Sequence, residues 1–116
     1  MERTVEDHMN QPIVWANAGE TCRDALSRMR EYSYSQLPVE RDGESVGSIT
    51  ELGLRDRDED MLVRAVMEDP FPEIEHDESV DEAARVLEDN RALLVTEDGA
   101  YIGIITKADL IHSALG

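Results

Sequence analysis

The sequence repeats itself, and nothing else about it constrains the fold as tightly. Met9 and Pro12 return as Met67 and Pro70, fifty-eight positions later. Cys22, Ala25, Leu26 and Met29 return at the same offset as Val80, Ala83, Ala84 and Leu87. Each quartet has the spacing i, i+3, i+4, i+7, which is one apolar stripe on a helix. Further on the offset falls to fifty-six: Leu37, Val39, Gly43, Gly47, Thr50 and Leu54 return as Leu93, Val95, Gly99, Gly103, Thr106 and Leu110. Two residues are missing between helix and strand, where a loop tolerates the loss. A duplication forces both copies into one local structure, and neither copy is long enough to bury a core by itself.

Each copy has the same local grammar. A short extended segment (Ile13-Val14; Glu73-Ile74) leads to Thr21-Cys-Arg-Asp24 or Ser79-Val-Asp-Glu82. In both, the hydroxyl can accept from a first-turn N–H while the acid three residues on reaches back, a capping box. The predicted helices run to about Tyr32 and Asn90, and strands follow at Gln36–Val39 and Ala92–Thr96. Asp42-Gly43 and Asp98-Gly99 then favour positive φ and a tight hairpin. Return strands span Ser45–Ile49 and Tyr101–Ile105, and Thr50 and Thr106 cap a closing helix. The predicted order is strand, helix, strand, strand, helix, twice over. The expected architecture is α/β (α+β): repeats 1–58 and 59–116, packed through their sheets with pseudo-twofold symmetry into one module. The acidic run Asp56–Asp60 and the apolar-periodic Met61–Met67 join them.

Charge narrows the function. Against 27 acidic residues stand 11 basic ones, a net −16 over 116 residues. That field repels phosphate backbones and anionic membranes, which argues against nucleic acid and membrane surfaces as partners. Acidity scattered along a chain with Lys107 as its single lysine is the pattern of a halophilic archaeal surface; an ordinary acidic bacterial domain is the alternative. At molar salt the Debye length falls to ~3 Å, which screens the self-repulsion. No run approaches the ~20 apolar residues of a membrane span, and Met1 opens a polar stretch rather than a signal peptide, so the expected location is cytoplasmic.

With these residues in place, the chain resembles paired CBS domains, named after cystathionine beta-synthase and also called a Bateman module. The resemblance rests on Met-x-x-Pro, the Ser/Thr-capped helix, Leu37-Pro38-Val39, Asp42-Gly43, Val46-Gly47 and Gly103-Ile-Ile-Thr-Lys-Ala-Asp109-Leu110. It covers residues 4 to 115, which reads as a stand-alone pair with no enzyme domain. It implies a non-catalytic regulatory module that binds an adenosine-containing ligand (AMP, ADP, ATP, S-adenosylmethionine or NAD) in clefts between repeats. Such pairs commonly form a flat homodimer and signal occupancy to a client protein, here unidentified.

The resemblance also implies a site. Gly103 to Asp109 matches the family's ribose and phosphate segment: Asp109 would accept from the ribose hydroxyls, while the Thr106 hydroxyl and the N–H groups opening the last helix face phosphate. Ile104 would lie against the adenine or ribose. Val14 and Ala16, with Tyr34 and Ser35, would form the wall from repeat one. Arg91 is the expected phosphate cation and Lys107 a second. Thr-x-x-Asp is equally an ordinary capping box, and the two roles are compatible. In repeat one the aspartate's position is Gly53, so one competent site per chain is expected and a second cleft that is weak or empty. A −16 chain favours AMP, or S-adenosylmethionine with its sulfonium, over bare ATP. A structural dimerisation scaffold with vestigial clefts is the competing reading.

The remaining residues offer less. Asp56, Asp58 and Asp60 occupy positions 1, 3 and 5 of a calcium loop, but Met61 and Met67 stand where glycine and glutamate are needed. His8, His76, His112 and Cys22 show no metal-ligand spacing, so no dedicated metal set and no required cofactor are expected. Cys22 lies on the helix core stripe, a buried apolar role. No nucleophilic triad, phosphate loop or other bond-making set is present, so catalysis is not expected.

Overall fold

The computed structural model describes residues 3–115, with side chains through 111. Hydrogen bonds and packing divide the chain into two compact units: a central one, Val14–Pro70, and a terminal one made of Met1–Ile13 with Phe71–Gly116. This division differs from the sequence repeats, because each copy of the Met-x-x-Pro segment packs with the repeat that precedes or follows its own.

In the central unit, β1 (Ala16–Asn17) leads to α1 (Cys22–Tyr32), the hairpin β2 (Gln36–Arg41) and β3 (Glu44–Thr50), then α2 (Glu51–Arg55) and α3 (Val63–Val66). The sheet order is β1-β2-β3, parallel for the first pair and antiparallel for the second. Thr21 starts α1 by accepting from the Asp24 amide at 3.2 Å. Cys22, Ala25, Leu26 and Met29 all point into the core, as their helical spacing requires. Burial raises the Cys22 thiol pKa, consistent with an inert core residue.

The terminal unit repeats the plan after a short 3-10 turn at Val5–Asp7: β4 (Glu73–Glu75), α4 (Val80–Val86), β5 (Ala92–Glu97), β6 (Ala100–Thr106) and α5 (Lys107–Leu115), in sheet order β4-β5-β6. Ser79 caps α4 through the Glu82 amide at 3.1 Å. Both hairpins turn at an Asp-Gly with positive φ, 52° and 81° at Asp42-Gly43 and 51° and 81° at Asp98-Gly99. The core gathers Val5, Ile74, Ala83, Leu87, Leu93, Val95 and Ile105.

Two expectations need correction. The first strand lies at Ala16–Asn17, beyond Ile13-Val14, because Ala16 pairs with Val39 and is fully buried where its repeat partner Ile74 is buried. Trp15 therefore precedes the strand. The helix expected to reach about Asn90 stops at Val86, where the Asn90 side-chain amide donates to the Val86 carbonyl at 2.9 Å. The Val86 carbonyl also accepts from the Asp89 amide at 3.3 Å, so it is satisfied without a further helical turn.

The repeated Met-x-x-Pro segments close the units. Asn10 and Ile104 exchange backbone bonds at 2.8 and 3.0 Å; Glu68 and Ser48 exchange the equivalent pair at 2.8 and 3.0 Å. The approach is close enough to require glycine on β3 and β6. A Cβ at Gly103 would stand 2.8 Å from Met9 Cγ and 3.1 Å from the Asn10 carbonyl. At Gly47 it would stand 2.8 Å from Met67 Cγ and 2.9 Å from the Glu68 carbonyl.

Candidate functional site

The junction of β6 and α5 assembles the polar groups singled out in the sequence. Asp109, in the first turn of α5, is half-buried and turns back toward the strand. Its Oδ2 accepts from the Thr106 amide at 2.8 Å and from the Thr106 hydroxyl at 3.0 Å. The same oxygen accepts from the side-chain amide of Asn10 at 2.8 Å. All three bonds converge on one carboxylate oxygen, so a ligand diol would approach through Oδ1 and compete for Oδ2.

Register places the neighbours. Ala92 on β5 pairs with Thr106, so Arg91, the residue before it, lies at the same end of the sheet. Arg91 and Lys107 are exposed. Ile104 is half-buried, paired with Leu94 and bridged to Asn10. Thr106, Asp109, Ile104, Arg91 and Lys107 thus belong to the terminal unit.

Val14, Ala16, Tyr34 and Ser35 belong to the central unit. Ala16 is fully buried in its core and Val14 packs against that core. Tyr34 is exposed and stacks on Tyr32, with ring centroids 5.9 Å apart. The Ser35 carbonyl accepts from the Glu51 amide at 2.9 Å, which fixes the β2 end against the start of α2. Nearby, Arg28 donates to the Trp15 carbonyl at 3.0 Å and pairs with Glu20. The Glu20 hydrogen bond holds the Arg28 pKa above its ordinary value.

Asn10 is the residue that sequence reasoning missed. Its position inside the repeated Met-x-x-Pro segment was visible, but its partner lies 99 residues away. One signal was available: the duplicate carries Glu68 in place of Asn10 and Gly53 in place of Asp109, so the two differences travel together. In the central unit Thr50 accepts from the Gly53 amide at 2.9 Å, a plain helix cap with no carboxylate.

The fold and this junction define a duplicated α/β module with a helix-capping carboxylate in one copy. The chain belongs to the CBS domain family, whose model matches residues 5–59 and 63–116. A CBS-domain protein of Thermoplasma acidophilum, TA0289, is 31% identical and superposes with a TM-score of 0.82, over 97% of this chain and 69% of that one. The CBS domain of a bacterial CNNM/CorC family Mg²⁺ transporter, solved in complex with ATP, superposes with a TM-score of 0.87 at 22% identity, over 97% of this chain and 87% of that one. The uncharacterized protein MK0525 of Methanopyrus kandleri is 27% identical over 122 residues; the chain spans 61% of its length and 94% of the chain is covered. CBS pairs are commonly regulatory and ligand-binding. Among the described residues, no helix is long and apolar enough to cross a membrane.

Proposed function

We propose that this CBS pair is a non-catalytic regulatory module that binds an adenosine-containing ligand at the β6–α5 junction. The Asp109 carboxylate, held by Thr106 and Asn10, is the observation that carries the reading. A carboxylate fixed in this way accepts from both hydroxyls of a ribose without first losing side-chain entropy. The amides opening α5 supply donors for phosphate, with Arg91 and Lys107, exposed at the same end of the sheet, as the candidate cations. Ile104 offers an apolar surface to the base or ribose. A net charge of −16 favours AMP or S-adenosylmethionine over ADP or ATP, which carry more negative charge. The ATP complex of the CorC-family domain supports the adenosine class. Occupancy would shift the population of conformers that a client protein reads, with the module acting as a cytoplasmic homodimer. The salt-screened acidic surface of a halophile is the setting that suits this charge.

A second reading has its own support. Three bonds already occupy Asp109 Oδ2, one of them the back-bond of a capping box from the Thr106 amide, and a purely structural dimerisation scaffold would also use them. Calorimetric titration of AMP, ATP and S-adenosylmethionine in about 2 M KCl separates the two, with the acidic surface screened. The sensor reading predicts saturable binding that Asp109→Asn, which keeps an acceptor for the cap, weakens by one to two decades. Absence of heat with every ligand, from folded protein, leaves the scaffold.

A further inference from the structure

The fold brings together three ligating side chains far from the β6–α5 junction. His76 follows β4, Glu97 ends β5, and Glu6 sits in the 3-10 turn of the amino-terminal segment. His76 Nδ1 lies 2.8 Å from Glu6 Oε2, and Nε2 lies 3.8 Å from Glu97 Oε1. One ligand atom from each residue can be chosen so that all three lie within 4.8 Å of one another. The backbones beneath them are fixed: the His76 amide donates to the Thr96 carbonyl at 2.9 Å, and the Glu6 amide donates to the His76 carbonyl at 3.1 Å.

We propose that Glu6, His76 and Glu97 form a binding site for one divalent transition-metal ion of the Zn²⁺ class. One imidazole nitrogen and two carboxylates are the donor set that borderline cations take, whereas Mg²⁺ prefers oxygen and water alone. The site is partly open, with His76 26% and the two glutamates 44% and 47% exposed, so solvent completes the coordination shell. A cation held there offsets the repulsion of two carboxylates sharing one imidazole. The duplication supplies a control. At the equivalent positions of the central unit stand Arg64, Ala18 and Arg41, on the same backbone scaffold: the Arg64 amide donates to the Ala18 carbonyl at 3.0 Å. That copy offers two cations and no imidazole, so the metal binds one unit only. Bound there, it ties the amino-terminal segment to the β4–β5 edge of the terminal unit.

Zn²⁺ titrated into metal-stripped full-length chain, followed by calorimetry and by the imidazole NMR signals, tests this. The expected result is one Zn²⁺ per chain and shifted His76 ring signals in wild type. Glu6→Gln and Glu97→Gln, which keep hydrogen-bonding capacity toward the ring, should each bind at least tenfold more weakly. Mg²⁺ at equal concentration should not compete. No saturable binding, unmoved His76 signals, undiminished affinity in both glutamine variants, or equal competition by Mg²⁺ would each overturn the site and leave a histidine clasp between two acids.

Discussion

The β6–α5 end of the terminal unit and the β3–α2 end of the central unit share a backbone and differ in chemistry. Both have a threonine closing the strand, a glycine packed under a methionine, and a bridge to a Met-x-x-Pro segment. On that common frame the terminal unit places Asn10, Ile104, Lys107, Asp109 and Arg91. The central unit places Glu68, Ser48, Glu51, Gly53 and Ser35 at the corresponding positions. One end carries an anchored carboxylate and two basic residues; the other carries acids, small polar groups and a glycine. Ser48 is buried and donates to the Asp69 carbonyl at 2.7 Å, so its hydroxyl is committed to the fold. The shared frame carries different side chains at this end, as it does at Glu6, His76 and Glu97, where Arg64, Ala18 and Arg41 stand in the central unit.

The comparison breaks most directly at Asp109. Asp109→Ala should weaken adenosyl-ligand binding by one to two decades, the ~1.5–3 kcal/mol of a lost charged hydrogen bond. Gly53→Ala should leave the affinity unchanged, as calorimetry on both variants would show. Gly103→Ala and Gly47→Ala should instead behave alike. Each Cβ meets a methionine and a backbone carbonyl, so each should cost about 1–3 kcal/mol in urea unfolding. A large difference between them would mean that the two frames are not equivalent.

Asn10→Ala and Glu68→Ala sharpen the contrast at smaller amplitude. The first removes the amide bond to Asp109 and should cost about 0.5–1.5 kcal/mol of stability. The second removes an exposed acid and should change stability by less than about 0.5 kcal/mol. The smallest effect concerns pH, measured with a chelator present. The Glu6 hydrogen bond, aided by the charge of Glu97, raises the His76 pKa above its unfolded value. The resulting stabilisation is therefore full below about pH 6.5 and is lost as pH rises through the folded pKa. His76→Gln should be slightly less stable than wild type in mild acid and should match it in alkali. The central unit has Ala18 there and contributes no such slope.

The repeat, the hairpins and the threonine caps were legible because they depend on neighbours in sequence. Asp42-Gly43 and Asp98-Gly99 had to turn, and the stripe from Cys22 to Met29 had to face inward. The end of α4 was less legible, since it depends on which carbonyl Asn90 satisfies. The first strand was misplaced because Ile13-Val14 looks more strand-like than Ala16–Asn17, whereas pairing with β2 decides the matter. The Asn10 partner, hinted at only by the paired loss of Asn10 and Asp109 in the other copy, and the Glu6–His76–Glu97 group were hard to read for a different reason. Their partners meet only through tertiary structure, and no spacing along the chain encodes them.

The number of adenosyl ligands bound per chain tests the central asymmetry most directly. Equilibrium dialysis with AMP in about 2 M KCl should give one per chain in wild type. The same measurement on Asp109→Ala should show the affinity weakened by one to two decades. Two per chain in wild type, or one of undiminished affinity in Asp109→Ala, would contradict the assignment of binding to the β6–α5 junction alone.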